Sequence, residues 1–143
     1  MLEYKVYALL LADVCAFWFL WQTRTQVPTQ PVLSGDKELR DAYHDYNRKY
    51  FKGKLPEAGV RVDWDETIDA KGDIASTWFT DYEGQGRAYQ VSMNPSLKDF
   101  RRVWKFSLLH EMVHIKTRAP EHGRRFQREM LRLAKAHAFD DLW

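Results

Sequence analysis

Residues 103 to 115 read Val-Trp-Lys-Phe-Ser-Leu-Leu-His-Glu-Met-Val-His-Ile, and wound as a helix this run is apolar on nearly every side. Phe106, Leu108, Leu109, Met112, Val113 and Ile115 cover the faces that His110 and His114 leave free. Such a helix is buried, so the rest of the domain must be built around it. The two histidines stand four residues apart, about 40° around the axis and one turn along it, and can share one metal ion. Two imidazoles and the Glu111 carboxylate on a buried helix each need a partner to offset desolvation, and a divalent cation supplies one. H-E-x-x-H spacing also arises by chance on ordinary helices with solvated histidines; the apolar surroundings favour the metal.

A zinc site of this type takes a third protein ligand, and a catalytic one keeps its fourth position for water. His122 is the best placed. It follows His114 by eight residues, beyond Thr117-Arg118-Ala119-Pro120, where the proline ends the helix and lets the chain turn back. Glu121 is the neighbouring rival and Glu129 a poorer one, while His44 and His137 have no spacing argument. The metzincin continuation fails, since it needs Gly at 117 and His at 120, where this chain has Thr and Pro. Glu111, beside the histidine pair, is placed to accept a proton from the attacking water and pass it to the departing amine.

Punctuation and period give the order of elements. Residues 35 to 51 read as a helix, with Leu39, Tyr43, Tyr46 and Tyr50 at helical spacing and Gly53 and Pro56 beyond its end. Val60 to Trp64 alternates like a strand. Ile74 to Thr80 and Ala88 to Met93 read as two more, joined through a glycine-containing turn at 81 to 86. Asn94 with Pro95 is expected to cap and start the helix that carries His110. A last helix spans about Arg124 to Ala138, with Phe126, Met130, Leu133 and Ala134 inward. The fold class is therefore α+β: a helix, a small three-stranded antiparallel or mixed sheet, then two helices, preceded by a hydrophobic N-terminal helix.

Four separated blocks of the chain resemble the SprT-like zinc metallopeptidases, the group that includes the Spartan-type protease of DNA-protein crosslinks. They are Tyr46 to Pro56, the strand ending at Trp64, Asn94-Pro-Ser-Leu97, and Leu109 to His114 followed by His122-Gly-Arg-Arg-Phe126. The resemblance implies a minimal zincin-like domain over residues 35–143, zinc as cofactor, and endopeptidase action on protein or peptide substrates. In that family the third ligand is the His of a His-Gly-x-x-Phe segment, which points to His122. The chain departs from the many members that carry a cysteine-rich zinc ribbon: its one cysteine is Cys15, so no second zinc site is expected.

The 143 residues suit one small core, and 45% hydrophobic with 15% aromatic side chains can fill it. The net charge of +2 is unevenly spread: residues 96–143 hold 11 basic and 6 acidic side chains, against 11 and 14 in residues 1–95. Arg125, Arg128, Arg132 and Lys135 fall at helical spacing opposite the apolar face of the last helix, and Arg101, Arg102 and Lys105 stand near the start of the His110 helix. They could contact DNA phosphates, but a solvated helix face is the simpler reading. Trp78, Phe79, Tyr82 and Tyr89 could stack on bases; packing is their simpler use.

Residues 1–24 form a hydrophobic segment, and 25–34 a linker containing Pro28 and Pro31. Val6 to Trp21 carries one charge, Asp13. It is short for a membrane span, and a central Asp costs about 2.5–3.5 kcal/mol, yet Trp18 and Trp21 suit an interface. Membrane attachment through residues 2–21 is favoured, a helix packed on the domain comes next, and a cleaved signal peptide lacks its flanking features. Without attachment, the chain is expected in the cytoplasm. Two other functions stay open: a non-catalytic nucleic-acid-binding module in which zinc staples two helices, and a membrane-tethered quality-control protease.

Overall fold

The computed structural model describes residues 32–69, 71–82 and 86–142. The hydrophobic segment 1–24, its reading as a membrane anchor or packed helix, and most of the 25–34 linker lie outside these residues. The compact unit that contains them runs from Pro31 to Trp143. Among the described residues no helix is long and apolar enough to cross a membrane.

Helix α1 (Lys37–Phe51) begins where Asp36 accepts hydrogen bonds from the backbone N–H groups of Glu38 and Leu39, at 2.9 and 3.2 Å. Its buried stripe is Leu39, Tyr43, Asn47, Tyr50 and Phe51, while Tyr46 packs against the core only in part. Asn47 is a buried polar residue with both amide N–H groups and its carbonyl oxygen engaged. It donates to the Leu55 carbonyl and the Glu57 carboxylate and accepts from Leu55 N–H, fastening the loop that leaves the helix.

Among the described residues four strands form one sheet, in the order β1–β2–β4–β3: β1 (Ser34–Gly35), β2 (Val60–Trp64), β3 (Ala75–Tyr82) and β4 (Gly86–Met93). β1 pairs parallel with β2, β2 parallel with β4, and β3 antiparallel with β4. The sheet is thus mixed and has one strand more than the three expected. The extra strand is two residues long and includes Ser34, the last residue assigned to the linker. It depends on Gly35, where a Cβ would fall 1.9 Å from the Val62 carbonyl oxygen and φ is +110°. β3 and β4 also extend closer to their connection than the pattern suggested, with Asp81 opposite Arg87 and bonded to its guanidinium. A four-residue helix, α2 (Glu66–Asp69), was not anticipated.

Val60 and Val62 on β2, and Tyr89, Val91 and Met93 on β4, alternate onto one face, which α1 and α3 (Arg101–Thr117) cover. α3 has Trp104, Leu108, Leu109, Met112, Val113 and Ile115 in the core, and Trp104 meets Trp64 edge to face at 6.0 Å. Asn94 and Pro95 do not start α3. The Asn94 side chain accepts from Ser96 N–H and donates to the Asp73 carbonyl, closing a 3-10 turn over Pro95–Leu97. α3 begins at Arg101, after Phe100, with no side-chain cap. Helix α4 (Arg124–Lys135) stops short of the expected Ala138, because the chain reverses through His137 at φ 58°. Phe126 and Leu133 are buried and Met130 packs on the core, but Ala134 is exposed rather than inward.

Candidate metal centre

The last two turns of α3 deliver His110 and His114, and the helix then ends abruptly. Arg118 takes the left-handed conformation, φ 56°, with its N–H bonded to the His114 carbonyl at 2.8 Å. The following segment returns His122 to the same side, as the proline-turn argument requires. His122 Nε2 lies 2.9 Å from His110 Nε2 and 3.2 Å from His114 Nε2, and one ligand atom from each residue falls within 4.8 Å of the others. Tetrahedral coordination with metal–nitrogen bonds of about 2.0–2.1 Å separates ligand atoms by roughly 3.3 Å. The spacing of the nitrogens therefore fits a single small divalent ion.

Protonation supports the same fit. His114 Nδ1 lies 2.9 Å from the Ala119 carbonyl oxygen, which can only accept, so Nδ1 carries a proton and Nε2 is the atom turned toward His122. One N–H on His122 Nε2 could serve only one of its two neighbours well, whereas a cation would satisfy all three nitrogens. His110 is pushed down to about 4, chiefly by burial and then by the neighbouring His114 and His122, so it presents a neutral ring. The Phe126 ring backs the whole group, with its centroid 4.6 to 4.8 Å from each of the three imidazoles.

Glu111 is 5% exposed and points to β3, where Thr77 Oγ1 donates to its Oε2 at 2.7 Å. Burial pushes its carboxyl up to about 6, a shift held back by the Thr77 hydrogen bond and by His122. The rival ligands are elsewhere. Glu129 is bound to Arg132, His44 to Glu57 and His137 to Asp140, while Glu121 is exposed and outside the cluster. Among the described residues, no fourth His, Cys, Asp or Glu joins the three histidines.

The basic stripe is less uniform than its spacing. Arg125, Arg128 and Lys135 are exposed, but Arg132 is bonded to Glu129 and lies 5.5 Å over the Phe51 ring. Arg101 and Arg102 are exposed, and Lys105 lies over Trp104. Phe79 packs with Tyr89 beneath Arg87, whereas Trp78 is 62% exposed on the opposite face of the sheet and does no core packing. Thr77 and the Ala119 carbonyl escaped the sequence reading. Thr77 lies 34 residues before Glu111, and only its place on the helix-facing side of a strand could have marked it. Comparison of the chain with protein-family models, with curated proteins and with solved structures finds no match.

Proposed function

We propose that this chain is a zinc-dependent endopeptidase of the SprT-like kind, with His110, His114 and His122 as ligands and Glu111 as general base. One observation carries the reading: a triad of imidazole nitrogens without a fourth protein ligand among the described residues stands beside a buried carboxylate. A structural zinc staple closes with four protein ligands and gives Glu111 nothing to do. Among the described residues no cationic side chain is bonded to this buried carboxylate, whose burial costs stability, and proton transfer gives it a use. Three imidazole nitrogens suit zinc better than the oxygen-seeking magnesium or calcium. Bound there, zinc would polarise a scissile carbonyl and bring the pKa of water near 7.

The protein's own part is proton handling and alignment. Glu111 takes a proton from the attacking water and passes it to the departing amine nitrogen, ending as it began. β3 forms one edge of the sheet and packs against α3, so its outer backbone groups can pair with an extended peptide and lay it alongside the histidines. The test is cleavage of an unfolded protein such as casein by the zinc-loaded full chain. Glu111→Gln should keep one zinc per chain and lose cleavage by about 10²–10⁴-fold; a variant as active as wild type sinks the proposal.

A further inference from the structure

The strand that borders the site also grips its base. Thr77 pairs in register with the core residue Val91, which turns its side chain toward α3, and its hydroxyl donates to Glu111 Oε2 at 2.7 Å. The Glu111 side chain has three rotatable torsions and is 5% exposed, and one charge-assisted hydrogen bond to Oε2 settles which oxygen faces which way. Oε1 has no hydrogen-bond partner among the described residues.

We infer that Thr77 is the positioning residue for Glu111, holding Oε2 so that Oε1 is the oxygen that receives and releases the proton. This rests on the endopeptidase reading above. Throughout the cycle Thr77 gains and loses no proton. Its hydroxyl donates to Oε2 when Glu111 is a carboxylate, and to the same oxygen, now the carbonyl of a carboxylic acid, once Oε1 carries the proton. Because Thr77 belongs to the edge strand proposed to pair with substrate, base and substrate share one support.

Thr77→Val removes the hydroxyl and keeps the branched shape; Thr77→Ser keeps the hydroxyl. In the zinc-loaded full chain, Thr77→Val should lower kcat about 10–100-fold, the range found when a supporting hydrogen bond beside a metal site is lost. KM and zinc per chain should stay at wild-type values, and Thr77→Ser should restore kcat. In a Glu111→Gln background, Thr77→Val should cost nothing further, since the group it positions is gone. Wild-type kcat in Thr77→Val, an equal loss in Thr77→Ser, or an equal loss in both backgrounds overturns the assignment while leaving the endopeptidase reading intact. Wild type that cleaves nothing overturns both. Should Thr77→Val fail to fold, Thr77→Ala takes its place in the same series.

Discussion

The two sides of the metal centre are held by different means. His110 and His114 inherit their positions from α3, whose Trp104, Leu108, Leu109, Met112 and Val113 are almost wholly buried. His122 sits in an exposed run, Glu121 to Arg125, and is held by the Phe126 ring and by a hydrogen bond from Gln127 to its backbone carbonyl at 3.1 Å. One ligand pair is therefore part of the core, and the third ligand is hung beside it. The lesson is that stability of the fold and affinity for the ion should separate: α3 carries both, while residues 118–126 carry chiefly the second.

The sharpest way to break this contrast is a pair of substitutions in protein stripped of metal. Leu108→Ala opens a cavity in the core and should cost about 2–5 kcal/mol in urea unfolding. His122→Ala removes an exposed side chain and should stay within about 0.5 kcal/mol, yet a competitive zinc titration should show the tight site gone. If His122→Ala unfolds the metal-free chain as readily as Leu108→Ala does, the third ligand is a core element after all.

Glu111 sharpens the contrast from the α3 side, because its burial works against the fold. Its folded pKa is raised from about 4.5 to about 6, so the stability it permits is complete below about pH 4.5 and is lost as pH rises through 6. Gln does not titrate. In metal-free protein, Glu111→Gln should therefore be more stable than wild type at pH 7, by about 1–2 kcal/mol, with the gain gone near pH 4. His110, pushed down to about 4, acts oppositely: its neutral form is stabilising above pH 6.5, and that contribution is lost as pH falls through 4. It is present in both proteins and cancels from their difference. Equal stability of the two at pH 7 would mean that burial of the carboxylate costs nothing.

Phe126 lies where the two means of support meet, buried in the core and against all three imidazoles. Phe126→Leu keeps most of the apolar volume and should cost less than about 1.5 kcal/mol. The flat wall behind the rings is lost, and zinc affinity should fall about 10-fold. Unchanged affinity would reduce Phe126 to packing alone.

How much of this was legible depended on whether a residue's role is local. α3 was legible because its apolar circumference admits one environment, and His122 because Pro120 lets the chain turn back. Asn94-Pro95 was expected to start α3 and instead opens a separate 3-10 turn, since a cap fixes where a turn begins and not how far it runs. β1 could not be seen: two residues make no periodic pattern, and its pairing rests on the bare backbone of Gly35 meeting Val62. Alternation in β3 separates two faces without saying which is covered, so Trp78 was expected to pack and is exposed, while Thr77 on the other face meets Glu111.

The smallest effects are expected on the outward face of α4, and they test whether its charge has any part in the fold. Arg125, Arg128 and Lys135 are exposed, and replacing each by Ala should change stability by less than about 0.5 kcal/mol and leave zinc affinity as it was. Arg132 differs although it keeps the same spacing. Its guanidinium is bonded to Glu129, whose side chain is only 15% exposed, and it covers the Phe51 ring. Arg132→Ala should therefore cost more than any of the other three, toward the upper end of the 0.2–1 kcal/mol measured for partly exposed pairs, since it leaves Glu129 without its partner. Urea unfolding of the four variants without metal ranks them. A larger loss at Arg125, Arg128 or Lys135 than at Arg132 would show that helical spacing, rather than the contact each side chain makes, decides what these charges do.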